Sequence, residues 1–376
     1  MPGPRAVLIG VHGHGRVHLD GLLERERSGA LEFCGAADRR EPAAGTEWLQ
    51  GREFDTDAVR LLEKLCPDIA VISTPIHTHL EIAETALRVG VHLLLEKPPV
   101  TSVADHERLD QAVSAARRHC QVGFQAFGSS VVQDLIAKVR DGELGTVERV
   151  AMSGCWWRGD EYYQRSPWAG KRLLGDVIVA DGVLTNPFAH GVALALRLAG
   201  AVRSVTVEPY RAYDIETDDT ACARIETDGA PVTLAATLCA ERESEPYVRI
   251  FGTLAVATIW YTEDRLRIER TDGATPSPEY VGDRVALIDD LIEHLDDDPA
   301  SDVLRCPLSS TRSFTEVLEA IQFGPAPLPI PADHVRIGAL GRTIPDIEAA
   351  VAQVAATGRL FSELDIPWAA GKEGWA

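Results

Sequence analysis

The chain has 376 residues, of which 45% are hydrophobic and 25% charged, and its formal net charge is −20. This length is enough for two domains with separate cores, and the composition is that of an ordinary globular protein. The negative charge excludes nucleic acid as the expected partner and disfavours anionic membrane surfaces, because proteins that bind these carry basic patches.

The seven cysteines are odd in number and scattered, and no two of them form a C-x-x-C pair. We therefore expect reduced core residues in a cytoplasmic protein. The first ten residues run directly into an apolar strand, so no signal peptide is predicted. No apolar run reaches the length of a membrane span, so no membrane segment is predicted either.

The first predicted strand, residues 6–9, ends in the glycine turn Gly10-Val11-His12-Gly13-His14-Gly15, and a helical pattern follows. Strand, glycine turn and helix are typical of a dinucleotide-binding unit, where phosphates meet free backbone amides at a helix start. His12 stands where the usual G-x-G-x-x-G fingerprint has its second glycine. Its side chain either turns outward or blocks the coenzyme. We favour the outward orientation, because Gly13 keeps the loop pliable.

The second predicted strand, residues 31–37, ends in Asp38. An acid at this place binds the ribose hydroxyls of the adenosine and repels a 2′-phosphate. Arg39 and Arg40 follow, and guanidinium groups accommodate a phosphate. The sequence therefore favours NAD as the cofactor and leaves NADP open.

Two further apolar strands follow, and they end in Ser73-Thr74-Pro75 and in Glu96-Lys97-Pro98. Strands that alternate with helices predict a doubly wound parallel sheet, and continuous apolar runs are typical of its buried strands. Lys97 would lie at the carboxyl edge of that sheet, where such folds bind ligands. An ammonium group there can donate a proton beside a carbonyl or hydroxyl.

Over residues 5–325 the chain resembles the glucose-fructose oxidoreductase, inositol dehydrogenase and rhizopine-catabolism family (Gfo/Idh/MocA), and the run 68–98 is the specific part of the resemblance. The matching motifs are Thr74-Pro75-Ile76-His77-Thr78-His79, residues 86–98 with their Glu96-Lys97-Pro98 end, the glycine turn, Gly142-Glu143-Leu144-Gly145 and Phe251-Gly252-Thr253-Leu254. The resemblance implies a nicotinamide-dependent enzyme acting on sugars, polyols or related small molecules, with a tightly held cofactor. It also implies an N-terminal Rossmann domain, then an α+β domain with a large open, mainly antiparallel sheet used for oligomer contacts. A dimer or tetramer is expected.

We place the Rossmann domain at residues 1–125, the α+β domain at 126–340 and a C-terminal helical tail at 341–376. Runs of β-branched and aromatic residues after residue 147 predict the antiparallel strands. The prolines between 325 and 331 predict a stiff polyproline-like connector. The residues predicted to bind the coenzyme are Gly10, His12, Gly13, His14, Gly15, Asp38, Arg39, Ser73, Thr74, Pro75, His79, Glu96, Lys97 and Gln125.

His190 is the candidate for the second catalytic group, facing Lys97 across a cleft, and Asn186 would share its helical face. The family commonly has acids four residues before and three residues after its histidine, whereas this chain has Asn186 and Ala193 there. Asp181 and Asp176 are the candidates to replace those acids. A hydrogen-bonded core histidine is the alternative interpretation of His190.

The segment 155–172 contains three of the seven tryptophans of the chain. Aromatic faces suit a sugar ring, and cationic side chains hold hydroxyls or carboxylates, but a subunit interface has the same composition. Both interpretations stay open. The predicted substrate residues are Trp157, Arg158, Trp168, Lys171 and Asp181. No metal site is predicted, because no acid or cysteine near His12, His14 and His18 in the sequence completes a ligand set.

The predicted reaction is hydride transfer between a substrate carbinol carbon and the nicotinamide. His190 would take the hydroxyl proton, Lys97 would polarise the forming carbonyl, and Asn186 would hold the substrate. Two alternatives remain: an NAD-dependent relative that cleaves glycosides through a transient oxidation, and a non-catalytic NAD(P)-binding ligand sensor or regulatory subunit.

Overall fold

The structure is a computed structural model that describes residues 3–43, 46–273, 279–301 and 303–369. The chain forms two compact units. The first consists of Met1–Phe124 and Val285–Arg312, and the second of Gln125–Arg284 and Ser313–Ala376. None of the helices in the described part combines the length and the apolar character needed to cross a bilayer.

The first unit contains a six-stranded sheet in which every neighbouring pair is parallel. Its strands are β1 (Arg5–Ile9), β2 (Glu32–Ala37), β3 (Glu53–Asp55), β4 (Ile69–Ile72), β5 (His92–Leu95) and β6 (Cys120–Val122). Their order is β3-β2-β1-β4-β5-β6. The order reverses between β1 and β4, which is the point where doubly wound sheets bind ligands.

Four helices connect these strands, namely α1 (Gly15–Ser28), α2 (Ala58–Leu65), α3 (His79–Arg88) and α4 (Val103–Ala116). The side chain of Asp57 caps α2 by accepting the N–H of Val59, and Ser102 caps α4 in the same way. Helix α1 ends at Gly29 in the left-handed conformation that glycine adopts without strain. The parallel Rossmann sheet is therefore confirmed.

The second unit begins with α5 (Ser130–Arg140) and continues with mostly extended chain. Its elements up to residue 281 are β7 (Val147–Trp157), α6 (Asp160–Gln164), β8 (Leu173–Leu174), β9 (Val177–Ile178), α7 (Ala189–Ala199), β10 (Val202–Arg211), β11 (Thr220–Thr227), β12 (Val232–Thr237), β13 (Cys239–Gly252), β14 (Ala255–Trp260), β15 (Arg265–Arg270) and β16 (Tyr280–Val281). Strands β8 and β9 form a separate two-stranded hairpin.

The chain then returns to the first unit with helix α8 (Leu287–Glu293). The Gln121 amide on β6 donates to the Asp290 carboxylate at 2.6 Å and accepts the Cys306 N–H at 3.0 Å. These buried contacts attach the segment Val285–Arg312 to the edge of the parallel sheet. The sequence predicted a continuous domain from 126 to 340 that includes this segment, whereas the segment belongs to the first unit.

The remaining elements are α9 (Arg312–Phe323), β17 (Leu328–Pro329), β18 (Arg336–Ile337), β19 (Arg342–Thr343) and α10 (Ile347–Thr357). Strand β17 pairs with β10 at the edge of a nine-stranded sheet of order β16-β15-β14-β13-β7-β12-β11-β10-β17. The proline-rich stretch is thus partly an edge strand, a place where the missing N–H of proline costs little. Only the β7–β12 and β10–β17 pairs are parallel, so the sheet is mainly antiparallel, as predicted.

Helices cover both faces at the middle of this sheet. A Cβ at Gly154 of β7 would overlap the ring of Phe188, which directly precedes α7. The next residue, Cys155, points to the opposite face and joins a buried cluster with Val351 and Val354 of α10. Of the segment predicted as a separate tail, residues 342–369 therefore contribute to the core of the second unit, and residues 370–376 lie outside the described residues.

Phe361 anchors this C-terminal segment, and replacing it with alanine should destabilise the second unit. Its ring is fully buried and packs edge-to-face with Trp368 at a centroid distance of 5.2 Å. We expect Phe361→Ala to lower the free energy of unfolding by about 3–5 kcal/mol in urea denaturation. Phe323→Ala, at a ring 69% exposed, is the matched control and should stay within about 0.5 kcal/mol. Equal losses would contradict the packing role.

Candidate functional site

The sequence-predicted groups of the first unit follow four adjacent strands, β2, β1, β4 and β5. Asp38 follows β2, the glycine turn follows β1, Ser73 follows β4, and Glu96 and Lys97 follow β5. Because parallel strands end at the same edge of a sheet, these residues lie at one edge of the first unit.

The glycine turn is fixed by close backbone contacts. A Cβ at Gly10 would overlap the carbonyl oxygen of Ser73, and a Cβ at Gly15 would overlap that of Gly10. Gly10 and Gly13 also have φ angles of 91° and 60°, which favour glycine. The turn therefore needs glycine at 10, 13 and 15, whereas position 12 tolerates a side chain.

Backbone donors in this turn suit an anionic ligand. Within the described residues, the N–H groups of His12, Gly13 and His14 donate to no protein acceptor. They precede the first turn of α1, which begins at Gly15. Free amides at a helix start bind phosphate groups, so the turn fits the diphosphate of a dinucleotide.

The imidazole of His12 is turned towards the end of β2. Its Nδ1 lies 2.8 Å from Oδ2 of Asp38, and the same carboxylate accepts the N–H of Val11 at 2.9 Å and of Arg40 at 3.0 Å. Partial burial raises the pKa of Asp38, but these hydrogen bonds outweigh it and hold the pKa below its ordinary value. The carboxylate is ionised and already engaged by the imidazole.

Glu96 is buried beneath two histidines. Its Oε1 lies 2.7 Å from Nε2 of His18 and 3.5 Å from Nε2 of His14, and its Oε2 accepts the N–H of Lys97 at 3.1 Å. Burial raises the pKa of Glu96, but the contacts with His14 and His18 outweigh it and hold the pKa well below its usual range. The carboxylate in turn raises the pKa of His14. An acid, Glu96, thus lies beside His14 and His18, contrary to the expectation that no acid completes a ligand set with them.

His79, predicted to contact the coenzyme, is buried, and each of its ring nitrogens lies close to a backbone carbonyl oxygen. Its Nε2 lies 2.9 Å from the carbonyl oxygen of Thr74, and its Nδ1 lies 3.1 Å from that of Pro98. Burial lowers the pKa of His79 below its ordinary value. The ring connects the loops after β4 and β5, and its predicted coenzyme contact stays a prediction.

In the second unit, His190 is half-buried in the first turn of α7. The helix begins at Ala189, so Asn186 precedes it and does not share a helical face with His190, contrary to the prediction. Pro187 disfavours the helical backbone conformation of the residue before it and has no N–H to donate. Both properties agree with a helix that begins after Pro187. Asn186 donates instead to Asp181 at 2.6 Å.

Asp181 is buried and bonded within the second unit. Its side chain is 1% exposed, pairs with Arg165 at 2.8 Å and accepts the N–H of Gly170 at 2.7 Å. Burial raises the pKa of Asp181 more than Arg165 and the other donors lower it. Its carboxylate accepts the Asn186 amide, and its predicted substrate contact stays a prediction. The other candidate acid, Asp176, lies on the exposed turn between β8 and β9.

A second buried carboxylate, Asp218, holds the segment that leads to His190. It accepts the N–H of Val183 at 2.9 Å, and a Cβ at Gly182 would crowd its Oδ1 at 2.6 Å. Complete burial raises the pKa of Asp218 to about 6, although its hydrogen bonds act in the opposite direction. Arg165 and Asp218 were not predicted, since neither shares a motif with His190.

The remaining predicted substrate residues make contacts inside the second unit. Trp157 donates from its indole to the carbonyl oxygen of Arg342 at 3.2 Å, and Arg158 contacts Glu243 at 3.2 Å. Trp168 lies with its ring 4.6 Å from the guanidinium carbon of Arg165. Of the predicted substrate set, only Lys171 lines a pocket of about 560 Å³ in this unit, together with Tyr163, Arg211 and Glu216.

Gln125, predicted to bind the coenzyme, lies in the second unit, in a 3₁₀ turn over Gln125–Gly128. Lys97 belongs to the first unit, whereas His190 and Asn186 belong to the second. The predicted pairing of Lys97 with His190 stays a prediction.

Comparison with known proteins matches both units to one family. Residues 5–124 match the model described as the oxidoreductase family with NAD-binding Rossmann fold, and residues 132–258 match the GFO/IDH/MocA C-terminal domain. The chain is similar to inositol 2-dehydrogenase 4 of Saccharopolyspora erythraea, with 28% identity over 142 residues. It is also similar to glycosyl hydrolase family 109 protein 2 of Phocaeicola vulgatus, with 35% identity over 157 residues.

These matches cover 38% and 39% of the chain and only 42% and 37% of the two relatives, so less than half of each protein is compared. The WlbA dehydrogenase from Bordetella pertussis, in a crystal structure with NADH and UDP-GlcNAcA, has the same fold. Its TM-score is 0.68 at 22% identity, and the match covers 85% of this chain and 95% of that one.

The burial of Asp218 predicts that the free energy of unfolding depends on pH. The folded state holds its proton up to about pH 6, whereas the ordinary value is 3.8. The contribution of Asp218 to the free energy of unfolding should therefore fall as pH rises through this window, by about 3 kcal/mol. Asp218→Asn carries no such proton. In urea denaturation, the free energy of unfolding of wild type should fall by about 3 kcal/mol relative to that of Asp218→Asn between about pH 3 and about pH 7.

Asp214→Asn is the matched control, because the Asp214 side chain is 97% exposed. Wild type and this control should show parallel pH profiles. Parallel profiles for Asp218→Asn as well would show that the Asp218 proton is not retained in the folded state.

Proposed function

We propose, because the chain belongs to the Gfo/Idh/MocA oxidoreductase family, that it transfers hydride between NAD and a sugar, polyol or related hydroxy compound. One observation carries this proposal: the glycine turn and the Glu96-Lys97 pair lie at the same edge of the parallel sheet. When bound, the nicotinamide accepts or donates the hydride, while the protein positions the reactants and moves protons.

In the proposed complex, the free N–H groups of His12, Gly13 and His14 hold the diphosphate. Asp38 accepts the ribose hydroxyls of the adenosine, and its negative charge disfavours a 2′-phosphate. Because its Oδ2 is engaged by His12, the ribose has to share or displace that imidazole. The exposed Arg39 and Arg40 follow directly, so discrimination against NADP depends on the Asp38 carboxylate.

Lys97 is the proposed catalytic group of the first unit. The Glu96 carboxylate accepts the backbone N–H of Lys97, and His79 holds the carbonyl oxygen of the next residue, Pro98. Both contacts fix the main chain from which the ammonium extends, which is the positioning that proton transfer requires. In the direction of oxidation, Lys97 polarises the forming carbonyl oxygen and His190 takes the hydroxyl proton.

The proposed substrate class rests on the relatives. Inositol stands in the name of one relative, and a nucleotide-linked sugar acid stands in the description of the WlbA crystal structure. A panel containing inositol, UDP-GlcNAcA and simple sugars, with reduced coenzyme followed by its absorbance, tests the class. Binding of NAD without turnover of any panel member would favour the sensor or regulatory alternative.

Glycoside cleavage is the second candidate, and the similarity to a family 109 glycosyl hydrolase favours it. Such a reaction would leave no net reduced coenzyme. An aryl glycoside incubated with catalytic NAD separates the two candidates, because release of the aryl group without reduced coenzyme identifies cleavage.

Four predictions stay predictions: a dimer or tetramer, a cytoplasmic location, no nucleic-acid partner and no membrane partner. Light scattering on the purified protein measures the first of these.

Lys97→Met should reduce turnover by about 10²–10⁴-fold and leave the dissociation constant for NAD within a few-fold of wild type. Methionine retains the length of the side chain but has no proton to donate. Steady-state kinetics and coenzyme titration by fluorescence measure the two effects. Lys64→Met is the matched control, because Lys64 is exposed and pairs with Glu53 on the surface. Turnover of Lys97→Met equal to that of the control would remove Lys97 from the mechanism.

Asp38→Ser should shift the coenzyme preference towards NADP. The serine hydroxyl can still accept one backbone N–H, but the charge that repels a 2′-phosphate is gone. We expect the ratio of the NADP and NAD dissociation constants to fall by about tenfold or more, measured by titration. Asp20→Ser, at an exposed position of α1, is the control and should leave the ratio unchanged. An unchanged ratio in Asp38→Ser would show that Asp38 does not select the coenzyme.

A further inference from the structure

One group of three potential metal ligands lies at the edge of the first unit. His14 Nε2, His18 Nε2 and a Glu96 carboxylate oxygen all lie within 4.8 Å of one another. His14 directly precedes α1 and His18 lies four residues later, so both rings project from the same side of the helix start. We propose that His14, His18 and Glu96 form a binding site for a divalent transition-metal ion of the Zn²⁺ class.

The donor atoms suit that ion. Two imidazole nitrogens and one carboxylate oxygen are a ligand set that binds zinc with an open coordination position. Metal–ligand bonds near 2.1 Å place tetrahedral donor atoms about 3.4 Å apart. The His14–Glu96 separation is already 3.5 Å, and the His18–Glu96 separation is 2.7 Å. Binding therefore requires the second pair to open by less than about 1 Å.

The surroundings hold the ligands in place and leave a path for the ion. The second oxygen of Glu96 accepts the N–H of Lys97, which fixes the orientation of the carboxylate. The two imidazole rings lie edge-to-face with centroids 5.3 Å apart. His18 and Glu96 are nearly buried, whereas the His14 side chain is 58% exposed. His14 can therefore close over an ion that enters from solvent.

Charge complementarity supports one cation here and limits its affinity. The single carboxylate offers one negative charge. The positive charge of the Lys97 ammonium acts on His14 and disfavours a second positive charge at the site. We therefore expect binding that is weaker than that of a structural zinc site with thiolate ligands. The inference uses only side chains of the first unit and goes beyond the proposed function. It would hold equally for a protein without turnover.

The test uses full-length protein without an affinity tag, in a Cys66→Ser background because Cys66 is an exposed thiol. Titration with Co²⁺, a spectroscopic substitute for Zn²⁺, is followed by visible absorbance and by calorimetry. We expect saturable binding of one equivalent, with displacement of Co²⁺ by Zn²⁺. NAD binding is titrated separately, so that failure of the coenzyme proposal is distinguished from failure of this one.

Two histidine variants decide the assignment. His14→Ala removes the exposed ligand and leaves the His18–Glu96 hydrogen bond, so we expect a folded protein with at least about tenfold weaker Co²⁺ binding. His12→Ala removes an imidazole from the same turn that is bonded to Asp38, so binding should stay within about twofold. Absence of one-equivalent binding overturns the proposal. Equal losses in both variants, or no loss in His14→Ala, overturn it as well.

Discussion

The close approach of the glycine turn to the loop after β4 is the constraint on which the first unit depends. At Gly10 and Gly15 the backbone passes carbonyl oxygens so closely that a Cβ would overlap them. This contact brings the start of α1 to the edge of the sheet, and the three amides ahead of it donate to no acceptor in the part of the chain that the structure describes. It also places His18 against Glu96, so the same tight turn positions both the amides and the residue before Lys97.

In the second unit, two buried carboxylates accept hydrogen bonds from the segment that leads to His190. Asp181 orients Asn186, and Asp218 holds the backbone at Val183. Each is buried, and each would be costly to leave without its donors. Asp181 thus contacts Asn186 although it lies outside the spacing at which the family commonly has its acids.

The sequence predicted what depends on local pattern and strand order. Lys97 follows an apolar strand, and alternation of strands and helices already implied a parallel sheet with this residue at its edge. The His18–Glu96 contact was not predictable, because it depends on how α1 is rotated against a strand 78 residues away. Asn186 was placed on a helical face because four-residue spacing ignores the restriction that Pro187 imposes. The burial of His79 was missed because a motif does not reveal whether a side chain faces the solvent.

The sequence pattern also could not predict that α8 packs on the first unit, because a helical period does not identify the sheet that a helix covers. That placement has a consequence for biosynthesis. The parallel sheet emerges from the ribosome early. Gln121 at its edge nevertheless obtains Asp290 only after 169 further residues have been made, and Cys306 only after 185. A nascent chain that ends at Phe124 would leave that edge uncovered. The nucleotide-binding half is thus completed late in translation, after most of the second unit has been synthesised.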